Sequence, residues 1–205
     1  MIKSREFQLT STGDDAVEVL SEAVEFGNLI NLGRKDSLML RLLTEETMSM
    51  LRTLTGEVKC ELTFVEENGV ISINLETDTI MDANKRSELL AASKSGKNSF
   101  SKGIMGKVRE AFEVAFTLPA GVDISNYCTP SMMMGVPYEC ESEQVMDTLY
   151  WSLSTYRKNL EENDVPAEQW DELEKSIVSN IAEDVQVGIR GEHVVMAVIY
   201  KIRGE

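Results

Sequence analysis

The stretch VKCELTFVEENGVISINLETD (Val58–Asp78) decides the fold. Val58, Cys60, Leu62 and Phe64 alternate with Lys59, Glu61 and Thr63. Asn68-Gly69 follows, and Ile71, Ile73 and Leu75 then alternate with polar residues. Successive side chains of a strand point to opposite faces, so a period of two marks a strand with one apolar face. Asn-Gly supplies two residues that tolerate positive φ, which a two-residue hairpin turn requires. The stretch therefore predicts an antiparallel hairpin within a sheet that buries one face.

Upstream, Phe7 and Leu9 fall on one face of a strand predicted over residues 2–11. Thr12-Gly13-Asp14 breaks it and can cap a helix. Ala16, Leu20, Ala23/Val24, Gly27 and Ile30 recur at helical spacing to about Leu32, and Gly33 ends that helix. Asp36 or Ser37 can cap the next, LMLRLLTEETMSMLRTL, which runs to Gly56.

Downstream, Asp82 opens a helix to about Ser93. Val108, Ala111/Phe112, Ala115 and Phe116 mark another, ended before Pro119. Residues 119–141 carry Pro119, Gly121, Pro130, Gly135 and Pro137 and read as irregular, with Met132–Met134 suited to an adaptable contact surface or plain core. Val145, Leu149, Leu153, Tyr156 and Leu160 predict one helix. Trp170, Leu173, Ile177 and Ile181 predict a second, starting near Asp164 and Pro166. DVQVGIR and VVMAVIY, joined at Gly191, predict a closing hairpin. The order implies an α+β chain: a two-layer α/β sandwich with a mixed, mostly antiparallel sheet and helices on one face. Residues 1–205 form one domain, with 119–181 as an inserted irregular and helical segment.

Composition narrows the function. The chain is 42% apolar, and no apolar run reaches the roughly 18 residues of a membrane span. The opening MIKSREFQLTST has no signal-peptide stretch, so a cytoplasmic location is expected. Basic residues number 20 against 35 acidic, for a net charge of −15. Such a surface repels a phosphate backbone, so nucleic acid is not an expected partner. Cys60, Cys128 and Cys140 are widely spaced and lack a CxxC, which favours buried thiols over a disulfide framework or zinc site. The single histidine, His193, lies at a hairpin turn and is given no role, which argues against a Ser-His-Asp mechanism.

Against this acidic background, Lys85, Arg86, Lys94, Lys97, Lys102, Lys107 and Arg109 lie within one 25-residue window. Within it, SGKNSFSKGIMGKVREAF (Ser95–Phe112) runs into a helix. Gly103 and Gly106 beside Lys97, Lys102 and Lys107 suit an anion site, because free N–H groups and the helix dipole favour negative charge there. The segment is not a P-loop. In SKGIMGKV, Ser101 stands for the first Gly and Val108 for the final hydroxyl residue, and a helix precedes it where a strand is required.

Taken with TEETMSML, ISINLETDT and SGKNSFSKGIMGKV, the element order resembles the histidine-kinase-like ATPase (GHKL, or Bergerat) fold, especially its anti-sigma-factor/serine-kinase branch. The likeness covers roughly residues 1–118 and 182–203. It implies Mg-ATP as cofactor. Glu45 matches the family's catalytic Glu, and Ser49, four residues on, falls where the family has its magnesium-binding Asn. Thr77 or Asp78 occupies the approximate place of the adenine-reading Asp-x-Gly-x-Gly box, which the chain lacks, with Asp82 nearby. Lys97, Lys102, Gly103, Gly106 and Lys107 fall in the lid and phosphate turn.

Two functions follow. One is an ATP-binding regulator that phosphorylates or sequesters a protein partner. The other is a non-catalytic member that serves as a protein-interaction module without nucleotide. In either, a protein partner is expected, and the 119–181 segment could also form a homodimer contact.

Overall fold

The computed structural model describes residues 1–12, 14–52, 58–78, 104–109, 135, 148–163, 170–171, 173–174, 176–190 and 193–204. The hairpin forms as its pattern predicts, from β3 (Lys59–Glu67) and β4 (Val70–Asp78). Phe64 faces Ile73 and Leu62 faces Leu75 across the pair. Asn68 and Gly69 have φ of 54° and 79°, as a type I′ connection requires. The remaining strands are β1 (Ile2–Lys3), β2 (Phe7–Thr10), β5 (Thr148–Ser152), β6 (Asp184–Arg190) and β7 (His193–Lys201). They form one open seven-stranded sheet in the order β1-β3-β4-β7-β6-β5, with β2 also on β3. Every described pairing is antiparallel.

The expected first strand is split in two. Lys3 pairs with Val65 and Phe7 with Leu62, so four steps on the edge match three on β3, and one extra residue bulges within 4–6. Ser4 repairs the ladder there. Its N–H donates to Phe64 O (2.8 Å), and its hydroxyl accepts from Phe64 N–H (2.9 Å).

The described helices bury their apolar sides in the cluster formed by Leu62, Phe64, Ile73 and Leu75 on one face of the sheet. Helix α1 (Ala16–Leu29) stacks Phe26 on Phe64 with ring centroids 5.7 Å apart. It ends at Leu29, ahead of the expected Gly33; Asn31, with φ of 55°, takes the left-handed conformation after the cap, and Leu32 N–H closes on Gly27 O (2.9 Å). Helix α2 (Arg34–Arg52) starts two residues before Asp36. Asp36 is therefore not the cap but a buried side chain of the first turn. It accepts from the Tyr200 hydroxyl and from the N–H groups of Arg203 and Gly204 (3.2 Å each), which ties the last strand's exit to α2.

The predicted helix over Val145–Leu160 is corrected. Thr148–Ser152 is strand β5, paired with β6, and the helix α3 begins only at Leu153 and runs to Glu162. Leu149 and Leu153 fit a helical period, but Tyr150 and Trp151 favour a pleated surface and Ser152 is an N-cap, accepting from Thr155 N–H (3.1 Å). The next predicted helix also breaks: 170–174 is helical where described, and Ser176 caps a new short helix, α4 (Ile177–Ile181). The described part of the segment read as an insertion thus supplies an edge strand and core side chains. Trp151, Leu153, Tyr156, Leu160 and Val178 join the same cluster as Leu62, Phe64 and Tyr200. Arg157 on α3 donates to the carbonyls of Ser179, Ala182 (3.4 Å) and Glu183 (3.0 Å), placing a cation at the C-terminal end of α4.

Candidate functional site

Glu45 and Ser49 lie on α2, whose apolar stripe Leu40, Leu43, Met48 and Leu51 faces the core. Thr44 and Thr47 are also buried, and each hydroxyl is satisfied by the carbonyl one turn back, Leu40 O and Leu43 O at 2.8 Å. That leaves Arg41, Glu45 and Ser49 on the opposite side, all exposed. The i,i+4 spacing does put Glu45 and Ser49 on one face, and that face points away from the sheet.

Asp78 ends β4. Alternation sends Leu75 and the buried Thr77 toward the helices, with Thr77 Oγ1 donating to Lys59 O (2.6 Å). Asp78 therefore points to the other face of the sheet. There it pairs across the strand with His193, Oδ1 to Nδ1 at 2.8 Å, both side chains being exposed. Arg190 is His193's register partner on β6, so an acid, an imidazole and a guanidinium share one cross-strand row. Sequence reading gave His193 no role, because its partner becomes visible only once β4 and β7 are known to be neighbours.

Of the expected phosphate turn, 104–109 is helical and includes Gly106. The helix that Val108 marks in the sequence already includes Ile104. Lys107 is buried, with its ammonium 5.4 Å from the centroid of the Tyr156 ring, a cation–π contact. Ile104, Val108 and Arg109 are buried around it. Asp82, Lys97, Lys102 and Gly103 lie outside the described residues.

The described candidates thus occupy three places: Glu45 and Ser49 on the outer side of the helices, Asp78 on the far face of the sheet, and Lys107 in the core. No group of three or more His, Cys, Asp or Glu that could hold a metal occurs among the described residues. Burial pushes the Cys60 thiol up to about 11, against an opposing hydrogen bond with Thr77, so it is protonated and inert at neutral pH. Asp184, also buried, accepts from the N–H of Ser154 (2.9 Å) and of Val185 (2.9 Å) and from Gln186 Nε2 (3.0 Å), which fixes the start of α3 on the sheet. A groove of about 240 Å³ lies between β2 and the start of α1. No described helix is long and apolar enough to cross a membrane.

Comparison with protein-family models, with curated proteins and with solved structures yields no match.

Proposed function

We propose that this chain is a protein-interaction domain of histidine-kinase-like (Bergerat) ancestry that works without nucleotide. The ancestry is supported by the succession of strand, two helices and hairpin, closed by a C-terminal hairpin on one open sheet. The loss of nucleotide chemistry is supported by one observation: the described residues that would serve ATP do not converge.

A γ-phosphate site needs an acid or base, a magnesium ligand and a cation within reach of one another. Here Glu45 and Ser49 are exposed on the outer side of α2, and Asp78 is held by His193 on the opposite face of the sheet. Lys107, the one described lysine of the phosphate turn, stacks on Tyr156 in the core. These described residues do not fit Mg-ATP. What remains is an acidic α+β scaffold of net charge −15, suited to repelling like surfaces and selecting cationic ones.

Calorimetric titration of the full chain with Mg-ATP tests the reading. The expected outcome is no saturable heat up to millimolar nucleotide. Saturable binding that is lost in Glu45→Ala or Lys107→Ala would overturn it and restore the ATP-dependent regulator.

A further inference from the structure

We infer that the outer edge of β2 docks an extended, basic segment of a partner protein, which adds to the sheet as a further antiparallel strand. The inference rests on the interaction-domain reading and gives it a surface and a partner chemistry.

Among the described residues β2 pairs with β3 alone. Ser11 N–H points inward and donates to Val58 O (2.9 Å). Thr10 N–H points outward and is taken by Asp15 Oδ2 (3.1 Å). Neighbouring residues of a strand alternate in this respect, so Gln8 turns both its N–H and its C=O outward. No described group meets either of them. Such an edge is a template for one more strand, with main-chain bonds supplying affinity and flanking pockets supplying specificity.

The groove beside this edge is the pocket an added strand would use. Its wall includes Arg5, Glu6, Gln8, Asp15, Glu18 and Val19, with a volume of about 240 Å³. Three of these are carboxylates and one is a cation. The cation is already engaged: Arg5 contacts Glu18 (3.3 Å) and Glu22 (3.5 Å) and lies 4.5 Å over the Phe7 ring. Glu6, Asp15, Glu18 and Glu22 stand here against Lys3 and Arg5, so the groove keeps an excess of negative charge after these pairings, and it calls for Lys or Arg at alternate positions of the incoming strand. A second copy of the chain is a poor occupant, since each copy carries −15. The bulge at 4–6 and the Lys3–Glu6 pair (3.0 Å) close one end of the edge, so the added strand is short.

The test is selection of short random peptides by display on the full-length protein. The expected peptides carry Lys or Arg at every second position and have no central Pro. Their affinity should fall about tenfold or more in Gln8→Pro and in Glu18→Lys. Gln8→Pro removes an N–H that the β2–β3 ladder does not use, a place where an edge strand tolerates proline. Hydrogen exchange at the wild-type Gln8 amide gives the same answer without a substitution: it should slow when a selected peptide is added. No enrichment, enrichment of acidic peptides, or binding that leaves both Gln8→Pro affinity and Gln8 exchange unchanged would overturn the proposal. Peptides that bind elsewhere would remove this surface and leave the interaction reading standing, whereas saturable Mg-ATP binding would remove that reading whatever the peptides do.

Discussion

The two faces of the sheet follow different rules. The inner face carries Leu62, Phe64, Ile73, Leu75, Met196, Val198 and Trp151, all essentially without exposure. The outer face carries Gln8 beside Glu61, Asn74 beside Ala197, and Asp78 beside His193. Burial selects the inner residues one at a time, by apolarity. The outer ones meet across strands in pairs that are only partly complementary: Asp78 faces His193, whereas Glu61 faces Glu76. Stability should therefore reside on the inner face, and the outer face should tolerate substitution.

The largest effect expected from this contrast is at Trp151. Its indole is fully buried on the inner face, tilted against Tyr156 with centroids 6.2 Å apart. Trp151→Ala should cost about 3–5 kcal/mol, read as a lower urea midpoint at unchanged slope. A loss within about 0.5 kcal/mol would mean that β5 is not a true part of the core.

Next is the overpacking counterpart on the same face. Gly135 O accepts from Ser152 N–H (2.8 Å), and a Cβ at 135 would lie 1.8 Å from Trp151 Nε1. A buried indole cannot yield cheaply, so Gly135→Ala should destabilise by about 1–3 kcal/mol. The same melt checks it, and a neutral result would break the placement of Gly135 against Trp151.

These two residues also mark where sequence reading succeeded and failed. The hairpin 58–78 was legible because its alternation runs long on both arms and its turn has residues that only a tight hairpin favours. Strand β5 was not, because Leu149, Leu153, Tyr156 and Leu160 satisfy a helical period across what is a strand followed by a helix. Short apolar runs do not separate the two states, and the pairing with β6 decides it. At the candidate site, the shared face of Glu45 and Ser49 was legible from spacing. Its direction was not, because direction depends on which stripe of α2 meets the sheet. Asp78 likewise could be placed at a strand end, but His193 opposite it required the order of the strands.

Tyr200 gives an intermediate, pH-dependent case on the inner face. Burial, then its hydrogen bond to Asp36 and that carboxylate's charge, raise its pKa well above the ordinary value, against a smaller opposing effect of Arg203. Above about pH 10 the unfolded chain releases the phenolic proton and the folded chain keeps it. The unfolded state then binds fewer protons, so stability falls as pH rises through that range. Tyr200→Phe should cost about 1 kcal/mol at neutral pH and should flatten the alkaline decline. An alkaline slope identical to wild type would separate Tyr200 from Asp36.

The smallest effect expected is on the outer face. His193 and Asp78 form a close pair at 2.8 Å, but their side chains are 48% and 69% exposed. Such exposed contacts, ionic only when the imidazole is protonated, gain little, because water and salt screen them and ordering two side chains costs entropy. His193→Ala should therefore change stability by no more than about 1 kcal/mol, less at high salt. Trp151→Ala and Gly135→Ala should keep their effect in the same salt series, since burial of apolar surface does not depend on screening. A salt-insensitive loss above about 2 kcal/mol at His193 would break the contrast between the faces. It would mean that the row Asp78–His193–Arg190 is shielded from water, and that the far face of the sheet is covered where Asp78 meets β7.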